Sequence, residues 1–113
     1  MGAVRMKKSK SLFLMQLGDT PKLRVLDFLI DNHFFDFPMT AIAKESSVSY
    51  NSIKKFFGNF IRSGVVIKTR RIGKSDYYKL NLDNLFIKNL TKIDWILAKS
   101  DRVDKKELEL LAV

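Results

Sequence analysis

The 113-residue sequence has no cysteine, one histidine, two prolines and one tryptophan. Without cysteine there is no disulfide, thiolate nucleophile or zinc-finger ligand set, so the fold must rest on packing, as suits a cytoplasmic protein. A single histidine, His33, supplies neither a metal site unaided nor the base of a Ser/His/Asp set. The chain also lacks a Gly-rich phosphate loop, an acidic pair in a plausible pocket and a transmembrane run, so neither an enzyme nor a membrane protein is expected. The apolar stretch Ser11 to Leu17 after the basic start is too short for a signal peptide and has no small-residue cleavage site. No cofactor, catalytic residue or metal ligand is expected, and no small-molecule pocket is evident. With 46% hydrophobic and 12% aromatic residues, the composition suffices for one small core.

Acidic residues are also scarce, and their scarcity is local. The net charge of +9 divides into +4 for residues 1–10, −2 for 11–53, +7 for 54–79 and zero for 80–113. Charge concentrated in one internal segment marks a surface that meets a polyanion, which the total alone does not.

That segment adjoins a helix-turn-helix pattern. Thr40 is expected to cap a short helix with Ile42 and Ala43 inward. Ser46-Ser47-Val48-Ser49 reads as a tight turn whose Val48 plugs between two helices. Ser49 then caps a second helix, in which Ile53, Phe57, Phe60 and Ile61 recur as a core-facing stripe, and Gly64 ends it in a left-handed conformation. The other face carries Tyr50, Asn51, Ser52, Lys54, Lys55, Asn59 and Arg62, with no acid among them. In a helix-turn-helix this second helix enters the major groove, where Asn pairs with adenine edges and Lys with guanine edges. Tyr50, Asn51, Lys54 and Lys55 are the base-reading candidates, and Ser49 and Ser52 are expected to hold a phosphate.

After Gly64 the apolar period changes from about 3.6 to 2, as when strands replace a helix. Val66, Lys68 and Arg70 are expected to share one face, with Arg71 to Ser75 as the turn and Tyr78 and Leu80 inward on the return strand. This wing presents Lys68, Arg70, Arg71, Lys74 and Lys79 as DNA-binding cations against a single acid, Asp76.

From about Leu17 to Ala98 the chain resembles archaeal-type winged helix-turn-helix transcription regulators. The resemblance is carried by Gly18-Asp19-Thr20-Pro21-Lys22-Leu23-Arg24-Val25-Leu26, the Thr40 to Gly64 segment, Thr69-Arg70-Arg71-Ile72-Gly73-Lys74 and Tyr78-Lys79-Leu80-Asn81. It implies a three-helix core with a wing, DNA binding through helix and wing, and commonly a homodimer. Gly58 inside the reading helix departs from the pattern and lowers helix stability by roughly 1 kcal/mol relative to Ala.

The remaining segments complete the expectation. Thr20-Pro21 should cap a first helix with Leu23, Leu26, Leu29 and Ile30 buried, ending near Asp31-Asn32. His33 to Pro38 should be a loop or short strand that packs its aromatics over the core and pairs with the wing. Asn84 should cap a C-terminal helix whose Phe86, Leu90, Ile93 and Leu97 form a dimer seam. Residues 101–113 read as a short helix or frayed end.

The predicted architecture is therefore α+β and mostly α: a winged helix-turn-helix over residues 11–80, a basic tail at 1–10 and a C-terminal helical extension at 81–113. The expected function is sequence-specific double-stranded DNA binding as a cytoplasmic, homodimeric transcription regulator. The alternatives are a protein-interaction module and an RNA-binding protein that reads shape.

Overall fold

Hydroxyl and amide caps start most of the helices in the computed structural model, which describes residues 11–102. Ser11 accepts a hydrogen bond from Leu14 N–H (3.1 Å) and opens α1, Leu12–Leu17. The same hydroxyl donates to the buried Asp27 carboxylate at 2.8 Å, tying α1 to the next helix. Thr20 caps α2, Pro21–Asp31, with Pro21 in the first turn where its missing N–H costs nothing. Asn84 accepts from Ile87 N–H and opens α6, Leu85–Arg102.

The helix-turn-helix comprises α3, Met39–Glu45, and the segment that follows it. Thr40 does not cap α3: the helix begins one residue earlier, Pro38 is its N-cap, and no side chain caps it. Proline has already fixed φ there and extended the chain, so the helix starts without help from a hydroxyl. Ser47 takes the turn at φ 58°, and Val48 is buried between the helices as its apolar character requires.

The second helix is not continuous. It runs as α4, Tyr50–Lys54, and α5, Phe57–Arg62, separated at Lys55 and Phe56. There the bonds tighten to i→i−3, from Lys55 N–H to Ser52 C=O and from Phe56 N–H to Ile53 C=O. Two residues turning about 120° each instead of about 100° advance the helical phase by about 40°. Phe56 is thereby brought against the core, while Ile61, expected inside, is exposed. Gly64, at φ 76°, ends α5 as expected.

Three strands complete the fold: β1, Phe37–Pro38; β2, Val66–Ile72; and β3, Ser75–Leu80. All neighbours are antiparallel and the order is β1-β3-β2, so the 33–38 segment does pair with the wing. Phe37 alone among its aromatics packs inward, against Phe28 at 5.0 Å between centroids; Phe34 is exposed. The core gathers Phe13, Leu29, Ile42, Ile53, Phe57, Leu80 and Ile87 from helices and sheet alike. The result is a winged helix carrying a C-terminal helix against α1. No helix among the described residues is long and apolar enough to cross a membrane. The N-terminal tail and the segment from 103 onward lie outside the described residues.

Candidate nucleic-acid interface

The interface is built on the start of α4. Ser49 Oγ accepts from Ser52 N–H (3.1 Å) and donates to Ser52 Oγ (2.9 Å), so both serines are engaged in starting the helix. This fixes the next turn. Tyr50, Asn51, Lys54 and Lys55 are all exposed around it, and Lys54 Nζ lies 5.4 Å from the centre of the Tyr50 ring. Asn59 is exposed on α5. Arg62 folds back over Gly58, where an added Cβ would lie 3.3 Å from its guanidinium, so the glycine makes room for that side chain.

Helix and wing meet in a cleft of about 210 Å³. Its walls include Thr40 and Tyr50 on one side and Lys74, Ser75, Asp76 and Tyr78 on the other. Tyr78 is anchored from behind by an edge-on contact with Phe57 at 5.1 Å. A shared cleft gives the start of α4 and the tip of the wing a common outlook.

The wing differs from its expected form in register and in charge. Lys68 pairs with Tyr78 and Arg70 with Tyr77, leaving Thr69 as an extra residue, a β-bulge. Beyond it the alternation slips by one, so Arg70 does not share the face of Val66 and Lys68. Paired residues project to the same side of an antiparallel ladder. Lys68 and Arg71 therefore accompany Tyr78 and Asp76 on the cleft face, and Arg70 accompanies Tyr77 on the reverse.

Two acids, not one, compensate the wing's cations. Asp76 Oδ1 lies 3.2 Å from Lys68 Nζ and 3.8 Å from Arg71 Nε; it accepts no well-aligned hydrogen bond, and the cations balance its charge. The second acid is Asp36, from the loop before β1. Its carboxylate accepts from Thr69 Oγ1, from Arg70 Nε (2.9 Å) and from Arg70 Nη2 (3.0 Å). Arg70 Cζ also lies 4.9 Å from the Tyr77 ring centre. Lys74 is exposed at the turn, and Lys79 is half-buried opposite Ile67.

Asp36 and Thr69 are absent from the sequence-derived site. Only the expected pairing of 33–38 with the wing pointed towards this contact across more than 30 residues.

The Thr69 hydroxyl, followed by Arg70, holds the Asp36 carboxyl below the ordinary carboxylate range. A depressed folded-state value means the contact stabilises the fold above the ordinary range and is lost as pH falls through the depressed value. Asp36→Asn should therefore flatten the acid limb of a stability-versus-pH curve measured by urea denaturation. An unchanged limb would mean that the contact adds no net stability.

Elsewhere, α6 turns Ile87 and Leu90 into the core of its own chain, with Leu97 half-buried on the same side. Phe86 (56% exposed) and Ile93 (42%) face outward with Leu85, Trp95 and Ile96. The four expected seam residues thus divide, because positions 87, 90, 94 and 97 recur at helical spacing on the inward side, the first two buried and the last two half-buried. A groove of about 580 Å³ lies between the end of α2 and α6, lined by Ile30, His33, Leu82, Thr91, Lys92, Trp95 and Ile96, where the sequence pattern showed no pocket. His33 is half-buried in it, its Nδ1 2.8 Å from the Ile30 carbonyl. Asp27, Asp31 and Asp94 bring carboxylate oxygens within 4.8 Å of one another where α2 meets α6.

No protein-family model matches the chain, and no curated protein matches it. Among solved structures it is similar to the crystal structure of ligand-free NadR, with 12% sequence identity and a TM-score of 0.54, over 89% of this chain and 74% of that one. At this identity the likeness is one of fold, and that fold is the winged helix.

Proposed function

We propose that this protein is a cytoplasmic transcription regulator that binds double-stranded DNA sequence-specifically, with α4 in the major groove and the wing on the adjacent backbone or minor groove. The observation that carries this reading is the cleft shared by Tyr50 and Lys74, which turns the reading helix and the wing towards one side. The fold likeness to a winged-helix transcriptional regulator supports it at the level of architecture. So does the surplus of seven positive charges over residues 54–79. Ser49, Tyr50, Asn51, Ser52, Lys54, Lys55 and Asn59 form the reading surface, joined by Lys68, Arg71 and Lys74 of the wing; Lys79, opposite Ile67, lies on the reverse face of the wing with Tyr77.

Fluorescence anisotropy on a random duplex pool over a salt series, followed by sequencing of the bound fraction, tests the reading. Steep salt dependence and an enriched motif are the expected result. Binding to structured RNA with no duplex preference, or no binding at all, would overturn it.

The assembly we propose is a homodimer through the outward face of α6, where Leu85, Phe86, Ile93 and Ile96 form one apolar stripe along the helix. A two-fold axis would set two reading helices about one DNA turn apart and predict an inverted repeat. Phe86→Glu with Ile93→Glu should convert the dimer to a folded monomer in multi-angle light scattering. Leu90→Ala should act on stability instead, because Leu90 lies in the protomer's own core. A wild-type chain that scatters as a monomer at high concentration would remove the seam.

A further inference from the structure

We infer that the two neighbouring wing arginines have different jobs. Of the pair, Arg71 is the one that contacts DNA, whereas Arg70 is a positioning residue that Asp36 holds to set the wing against the core. This rests on the reading of the surface as a duplex DNA interface.

The bulge decides the division. Were Thr69 paired, the ladder would run Lys68 to Tyr78, Thr69 to Tyr77 and Arg70 to Asp76, and Arg70 would face the cleft. With Thr69 extruded, Arg71 falls opposite Asp76 and Arg70 opposite Tyr77. A one-residue slip exchanges the faces of every residue beyond it.

Arg70 is moreover already occupied. Two guanidinium nitrogens, Nε and Nη2, bond the Asp36 carboxylate in the bidentate geometry that a phosphate would otherwise receive. The same carboxylate takes the hydroxyl of the extruded Thr69, and Thr69 Oγ1 also lies 3.3 Å from the Tyr77 carbonyl oxygen. The tie starts beside β1, crosses the face of β3 along Tyr77 and ends on β2, so it spans all three strands. A phosphate approaching Arg70 would meet a paired fork and an adjacent negative charge. Arg71 has no such partner: the two arginine side chains are about equally exposed, but the Asp76 oxygen 3.8 Å from Arg71 Nε lies nearer to Lys68, and no bidentate pair holds the Arg71 fork.

The assignment is tested on the full chain with Arg70→Ala, Arg71→Ala and Asp36→Asn. One readout is the salt slope of binding to a random-sequence 20-base-pair duplex. The other is amide hydrogen exchange of residues 66–80 without DNA. Arg71→Ala should lower the slope by about one and leave exchange unchanged. Arg70→Ala and Asp36→Asn should each weaken binding severalfold at every salt concentration, keep the slope and speed exchange in the wing. Arg70→Ala combined with Asp36→Asn should be no worse than either alone, because both remove the same tie. A slope reduced by about one in Arg70→Ala, with tighter binding in Asp36→Asn, would overturn the assignment by making Arg70 a phosphate contact that Asp36 screens. Unchanged exchange in both variants would equally overturn the positioning role. If the wild type binds no duplex, the DNA reading fails, and Arg71's role fails with it; the exchange measurement still decides whether Asp36 and Arg70 hold the wing.

Discussion

Phe57→Ala is expected to lower the unfolding free energy by about 3–5 kcal/mol, the range for a large aromatic truncated in a core that cannot close over the gap. Phe57 is 2% exposed, stands 6.2 Å from the Phe60 ring and meets Tyr78 edge-on at 5.1 Å. Its neighbours come from α5 and from β3, elements that are themselves held by the sheet and the turn at Gly64, so neither can move in freely. For a small domain with about 5–15 kcal/mol in total, such a loss is a large fraction of stability. Urea denaturation at constant m-value gives the number. A loss below about 1.5 kcal/mol would show that the site collapses and that Phe57 does not join helix to wing.

The second large effect is expected at the reading surface. Asn51→Ala or Lys55→Ala should each cost about 1–3 kcal/mol on the selected DNA sequence and relax discrimination at the base pair it reads. Both residues are exposed, and neither is needed for packing, so thermal stability should be unchanged. Lys55 stands at the break between α4 and α5, which sets its direction separately from that of Asn59 one turn later. Equal losses on selected and random duplex would identify both side chains as phosphate grips. The comparison needs only anisotropy on two oligonucleotides.

Local punctuation was readable in the sequence because its physics is local. Thr20-Pro21, Ser49, Asn84 and Gly64 each act on backbone groups within a few residues, and each does in the structure what its chemistry predicts. The Leu12–Leu17 helix was missed although Ser11 supplied the same kind of cap, since six residues offer too little periodicity to recognise. The tightened turn at Lys55 and Phe56 leaves no compositional mark: every residue in it is an ordinary helix former or core residue. Its result, Ile61 outside, therefore could not be anticipated from spacing measured on a straight helix. The bulge at Thr69 was hidden for a related reason. Alternation is read by counting, and one extruded residue spoils the count for everything after it. Asp36 is the extreme case, because its partners lie more than 30 residues away and are chosen by how β1 meets β3. The clustering of cations was visible; how many of them were already neutralised was not.

The strand order carries one more consequence. With β3 in the centre and β1 only two residues long, β2 is the long free edge of the sheet, and among the described residues no strand pairs with its outer backbone groups. An open edge invites another chain to add a strand, and natural sheets discourage this with charge and bulges. Here Lys68, Arg70 and Arg71 line that edge, and Thr69 breaks its regularity. Lys68 and Arg71, which we propose meet the DNA, would thus also join Arg70 in keeping copies of the protein from joining edge to edge. Neutralising the wing should therefore cost solubility as well as affinity, and aggregation will compete with the binding assay before the last cation is gone.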